Sequence, residues 1–190
     1  QSPRPVSRSR TTFTELMVPA YANLGGKIHG GILLGIMDKV AYACAAKHAG
    51  SYCVTVAVDG VDFLAPVEVG DLVSLKASVN YVGRTSLLVG IRMEAEDVST
   101  GEIRHTSTSY FTMVAKDEGG RLVQVPPLLL ETREDVRRYL EALERRALKA
   151  DYAKAFERAK TELPIDAEHV LGEGHRCVLA DGLDLGAARG

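Results

Sequence analysis

The sequence carries no surplus of charge: 23 Lys and Arg stand against 25 Asp and Glu, a formal net charge of −2. Nothing electrostatic therefore points to a nucleic acid or an anionic membrane as the main partner. Cysteine is sparse, and Cys44, Cys53 and Cys177 make neither a C-x-x-C pair nor an even framework. Reduced thiols in a reducing, cytoplasmic compartment are expected, and a zinc site is not. There is no long apolar run either, because the stretch from Gly30 to Ala46 is broken by Asp38 and Lys39 and is too short and too charged to span a bilayer. The opening QSPRPVSRSR has no apolar segment of the secretory kind. Its Arg and Ser content suits an organelle-transit segment or, in better keeping with its composition, a disordered tail over 1–10. Internal repeats and low-complexity tracts are absent.

What is present is the composition of a globular chain, 46% hydrophobic and 25% charged over 190 residues. That length suits one domain with an appended helix or tail. TTFTELMV, closed by Pro19, suits a first strand. A glycine-rich loop, YANLGGKIHGG, then runs into ILLGIMDKVAYACAAKHAG, whose Ala, Leu and Met content and terminal Gly50 predict a helix over Gly31 to His48. On a helical wheel its only solvent stripe is that of Lys39 and Lys47, so the helix reads as wrapped nearly all round, with Asp38 pointing inward.

Four segments of period two come next. Val73, Leu75, Ala77, Val79 and Tyr81 alternate with Ser74, Lys76, Ser78 and Asn80, and Leu87, Val89, Ile91, Met93 and Ala95 oppose Arg92, Glu94 and Glu96. Short Gly-containing connections join them into an antiparallel meander. One apolar helix before such a meander means a sheet curled around the helix. The predicted class is α+β, a hotdog fold over 11–130: a curved antiparallel sheet wrapped around one long central helix. Beyond it, the charged run ETREDVRRYLEALERRALKADYAKAFERAK predicts a C-terminal helix over 131–162, capped by Thr132 with Asp135 in the reciprocal position. Its stripe of Val136, Leu140, Leu143 and Ala147 would pack either on its own domain or on another subunit. The remainder, 163–190, has no period and is expected to be mobile.

The stretch NLGGKIHGGILLGIMDKVAYACA resembles the signature of the cytosolic acyl-CoA thioester hydrolases of the hotdog superfamily: an Asn before a Gly-rich loop, His-Gly-Gly opening the helix, and Met-Asp past its first turns. The likeness runs on through VTVAVDGVDFLAPVEVGD and YVGRTSL, about Thr11 to Lys116. The resemblance implies hydrolysis of acyl-CoA to CoA and free acid, with no metal and no cofactor beyond the CoA of the substrate. It also implies a homo-oligomer of hotdog dimers, a hexamer among the assemblies left open, with no nucleic-acid or membrane partner. Asn23 and Asp38 match the catalytic residues, meeting across the dimer rather than within one chain.

The chemistry of these residue types agrees. A poorly solvated Asp38 suits a general base or nucleophile, and Asn23 could orient water or carbonyl through its amide. Glycines at positions 30 and 31 open the helix start, where the Gly31 amide is the chosen oxyanion donor. His29 is similar to the His of hydrating hotdog enzymes, but about 13 Å of helical rise separates it from Asp38, so loop structure near bound substrate is its expected role. Gly83, Arg84, Thr85 and Ser86 resemble the turn that contacts CoA, with Arg84 for its phosphates. Thr55, Val56, Ala57 and Val58 would line the pantetheine slot. A non-catalytic acyl-CoA sensor and an enoyl-CoA hydratase of the same fold are the alternatives.

Overall fold

In the computed structural model, residues 1–185 are described, and the chain divides into two compact units, residues 1–143 and a second that begins at Glu144. The first unit is built on a five-stranded antiparallel sheet and one central helix. We number the strands β1 (Arg4–Pro5), β2 (Thr11–Leu16), β3 (Tyr52–Asp59), β4 (Asp71–Val82), β5 (Ser86–Asp97), β6 (Ile103–Lys116) and β7 (Leu128–Leu129). The helices are α1 (Val6–Ser9), α2 (Gly30–Ala49), α3 (Arg133–Glu162) and α4 (Ala167–Val170). Spatial order in the main sheet is β2-β4-β5-β6-β3, so β2 and β3 are its edges. The hotdog arrangement expected from the sequence is therefore present.

The core lies where the inner face of the sheet meets α2. Val73, Leu75, Val79, Val89, Ile91, Met93, Phe111 and Met113 come from the strands, and Leu33, Ile36, Met37, Val40, Ala41, Cys44 and Ala45 from the helix. The helix residues recur at three- and four-residue steps, which makes one broad apolar stripe. Gly50 ends α2 in the left-handed conformation, φ 71°, and its N–H bonds Ala46 O. No helix among the described residues is long and apolar enough to cross a membrane.

Four expectations change. First, residues 4–10 are not a disordered tail. The last carbonyls of α2 need donors, and Arg4 bonds His48 O while Arg8 Nε bonds Lys47 O at 3.1 Å, two cations at the negative helix end. Val6 and Ser9 are buried there, and Ser9 Oγ receives the Val79 N–H at 3.0 Å. Second, the first unit is longer than 11–130, since it takes in the N-terminus and the first turns of α3.

Third, the capping box forms as predicted, Asp135 N to Thr132 Oγ1 at 3.1 Å and Thr132 N to Asp135 Oδ2 at 3.0 Å. The face of α3 that packs on the sheet, however, is Asp135, Arg138, Tyr139 and Ala142, with Tyr139 against Tyr81 at 5.6 Å between ring centroids. Val136, Leu140 and Leu143 stay exposed. The polar outer face of the sheet selects the polar stripe of the helix. Fourth, α4 occupies part of the segment expected to be mobile, and residues 186–190 of that expectation lie outside the described residues.

His48 is fully buried near the end of α2, with Nε2 donating to Pro126 O at 3.0 Å and Nδ1 without a partner among the described residues. Burial, foremost, lowers its proton affinity below the ordinary value near 6.5. The unfolded chain then takes up a proton that the folded chain refuses, so stability is complete above pH 6.5 and declines as pH falls through the window beneath it. Urea midpoints measured between pH 8 and pH 5.5 should fall with acidification in the wild type, and His48→Gln should flatten that slope.

Candidate active site

Asp38 sits on α2 in the same four-residue row as Leu34 and Tyr42, and all three are exposed in the single chain. The inward orientation expected for Asp38 is thus corrected: five strands cover one side of the helix and leave this row open. The row is not an ordinary wet face. Edge strand β3 flanks it with the exposed apolar side chains of Tyr52, Val56 and Val58, and the Tyr52 and Tyr42 rings stand 5.9 Å apart. The row thus carries a carboxylate between two exposed apolar side chains, Leu34 and Tyr42, and β3 beside it has no strand partner on its far side among the described residues.

Thr55 fixes the carboxylate. Its hydroxyl donates to Asp38 Oδ1 at 2.6 Å, and Oγ1 also lies 3.1 Å from Met113 Sδ. The geometry depends on a bulge, since Thr55 pairs with Met113 but Ala57 with Thr112, leaving Val56 as the extra residue. A bulge re-aims side chains on an edge strand. Sequence alone places Thr55 in the pantetheine slot and misses this role, because a bulge leaves no mark in a run as uniform as YCVTVAVD. Val56 and Val58 are exposed along the open edge and Ala57 is half-buried.

The start of α2 is the second cluster. His29 caps the helix, its Nδ1 accepting the Gly31 N–H at 2.9 Å. The Gly31 amide is therefore occupied, and its assignment as oxyanion donor is corrected. A His at the cap position competes for the second helical N–H, as the short side chains usual there do. The Gly30 N–H, one residue earlier, has no partner among the described residues. The Phe63 ring closes over Gly30 so tightly that a Cβ there would lie 3.2 Å from Cε2. His29 has the structural role expected of it.

Asn23 lies in the loop before the helix. Its Oδ1 accepts the N–H groups of Gly25 at 2.9 Å and Lys27 at 3.2 Å, which leaves the amide NH₂ facing outward as a donor. The loop is tied to the helix start by His29 N to Tyr21 O at 2.8 Å, and an open depression of about 700 Å³ runs past Asn23, Leu24, Lys27 and His29. Asp38 lies eight residues beyond Gly30, roughly 12 Å along the axis at 1.5 Å per residue. Within one chain, then, the structure gathers Asp38 with Thr55, and Asn23 with His29 and Gly30, as two separate groups.

The Gly83–Ser86 turn joins β4 to β5, closed by Gly83 N to Ser86 O at 2.8 Å. Val125 N bonds Arg84 O and Ala115 N bonds Thr85 O, so the turn is backed by the end of β6 and by the segment that follows it. The Arg84 side chain is exposed. Cys44 and Cys53 are disfavoured as nucleophiles, because burial pushes the Cys44 thiol up to about 12 and the Cys53 thiol up to about 11.

Comparison with known proteins bears on this geometry. Residues 25–102 match the family model of the thioesterase superfamily. The chain is 44% identical to "Protein VdlD" of Helicobacter pylori over 142 residues, 75% of this chain and 81% of the relative. It superposes on the crystal structure of an apo hexameric acyl-CoA thioesterase with TM-score 0.77 and 39% identity, covering 80% of this chain and 98% of the other. It likewise matches an acyl-CoA hydrolase of Staphylococcus aureus solved with butyryl-CoA, CoA and CoA disulfide: TM-score 0.73, 29% identity, 89% and 99% covered. That hydrolase has also been solved with an Asp, an Asn and a Thr each replaced by Ala.

Loss of the cap should be visible without any assay of chemistry. His29→Ala is expected to cost about 1 kcal/mol of stability, the usual value of an N-cap bond, and His29→Asn to restore most of it, both read from urea denaturation.

Proposed function

The chain belongs to the acyl-CoA thioester hydrolases of the thioesterase superfamily, and from that premise we propose that it hydrolyses acyl-CoA to CoA and a free carboxylic acid at a site shared by two copies of itself. The observation that carries the reading is the exposed Asp38, pinned by Thr55 on an apolar face. A carboxylate so placed is of little use to a lone chain and becomes reactive once a second copy covers the face and strips its water. The Asn, Asp and Thr replaced in the S. aureus hydrolase have the same spacing along the chain as Asn23, Asp38 and Thr55 here, which supports the choice of residues.

In this scheme the Asn23 loop and helix start of one chain face Asp38 of the other. The thioester oxygen docks between the free Gly30 N–H and the Asn23 NH₂, which stabilise the charge that develops there. Asp38, oriented by Thr55, takes a proton from water as the water oxygen bonds the carbonyl carbon. Collapse then breaks the C–S bond and releases the CoA thiolate, which is protonated. The alternative, direct attack by Asp38 to give an acyl-aspartyl anhydride, uses the same atoms in a different order. No metal or cofactor enters either route. Arg84, exposed at its turn, would meet the CoA phosphates. The β3 edge carries the dimer contact. The exposed Val136–Leu140–Leu143 stripe of α3 offers a further contact between dimers, in keeping with the hexameric assembly of a similar enzyme.

Thiol release from a panel of short, medium and long acyl-CoAs tests this. Asp38→Asn should lower kcat by at least about a thousandfold, Asn23→Ala by about a hundredfold, and Thr55→Val by about tenfold, the last with little change in KM. Unchanged turnover in Asp38→Asn would remove the reading. In heavy-oxygen water, a single turnover that leaves label in Asp38 would select the anhydride route.

A further inference from the structure

We propose that a second site, outside the reaction centre, takes a phosphate-bearing anion in the cleft between the outer face of the sheet and the first turns of α3. The cleft has a volume of about 370 Å³. Its floor is built from a local break in strand order: Val79 pairs with Val89 but Tyr81 with Leu88, so Asn80 is the extra residue of a bulge. Across from it stands Gly90, and any side chain there would collide with Asn80, a Cβ falling 2.3 Å from Nδ2. A glycine in the middle of a strand weakens it, and its use here is to admit the Asn80 amide.

The hydrogen bonds leave this floor donor-rich. Ser78 Oγ donates to Asn80 Oδ1 at 3.0 Å and accepts from Arg138 Nη1 at 3.3 Å. The acceptor of Asn80 is thereby consumed, while its NH₂, on a residue 93% buried, has no protein partner among the described residues. Around it, cations arrive from β4, β5 and α3 and from Arg10 between α1 and β2. Lys76 and Arg92 share the single carboxylate of Glu94 at 2.6 and 2.7 Å. Arg137 and Arg138 share Glu134, with Arg137 also on Glu141, and Arg10 reaches in from Asp135. Two guanidinium or ammonium groups on one carboxylate have N–H donors to spare. A planar carboxylate cannot be met from so many directions, whereas the tetrahedral oxygens of a phosphate or diphosphate can. Glu141 is the one carboxylate lining the cleft, and it acts as an internal competitor.

Isothermal titration of the full chain with inorganic pyrophosphate tests this. Wild type should bind one equivalent per chain. Arg92→Gln, on an exposed side chain whose loss leaves the fold intact, should weaken binding about tenfold, the contribution of one charge-assisted hydrogen bond. Asn80→Leu should weaken it as well, and Glu141→Gln should tighten it, with acyl-CoA turnover in the absence of pyrophosphate unchanged in Arg92→Gln. CoA and dephospho-CoA are then titrated against bound pyrophosphate. Displacement would put the nucleotide end of the substrate in the cleft and overturn its separation from the reaction centre, and its absence keeps the cleft for a free phosphate compound. No binding at millimolar pyrophosphate, or equal affinity in wild type, Arg92→Gln and Glu141→Gln, overturns the proposal.

Discussion

The hydrogen bond from Thr55 to Asp38 is the contact around which the rest of this molecule is arranged. It needs an edge strand with a bulge beside the helix, and that strand must remain open on its far side. The five-stranded order supplies both, since β3 is last in the sheet and lies against α2. The same arrangement leaves Leu34, Tyr42, Tyr52, Val56 and Val58 uncovered. An exposed apolar patch of this kind is the usual mark of a surface that another molecule covers.

Helix α2 serves two chemistries at its two ends. At its start, the orphan N–H groups are partitioned: His29 takes that of Gly31 and leaves that of Gly30 free under the Phe63 ring. At its end, the orphan carbonyls are met by Arg4 and Arg8, which draws the N-terminal segment into the fold. Both result from the same requirement that helix termini find partners. At the start, among the described residues, the Gly30 N–H is a donor with no partner in the protein.

Much of this is legible from residue order. The period-two runs around Val73–Val79 and Leu87–Ala95 define the strands, and Gly50 marks the end of the helix. Thr132 with Asp135 marks the start of α3. What escapes is set by tertiary geometry. The helical wheel takes the helix as evenly surrounded, and a sheet of five strands covers one side only, so the wheel turns Asp38 the wrong way. A wheel also ranks Val136, Leu140 and Leu143 as the packing stripe of α3, but the surface they would meet is Ser78, Asn80 and Lys76, and a polar face recruits Asp135 and Arg138 instead. The bulges at Val56 and Asn80 are invisible to a reading of alternation, and each places a polar side chain that matters.

The central claim is that one reaction centre is assembled from two chains, Asn23 and Gly30 from one and Asp38 from its neighbour. Mixing subunits tests it most directly. Asn23→Ala and Asp38→Ala chains, each at about a hundredth of wild-type turnover or less alone, are unfolded together and refolded as a mixture. Random pairing makes about half the dimers hybrid, each with one intact centre, so thiol release should return to about a quarter of the wild-type rate. A mixture as inactive as its two parents, with hybrid dimers demonstrated by mass, would contradict the account.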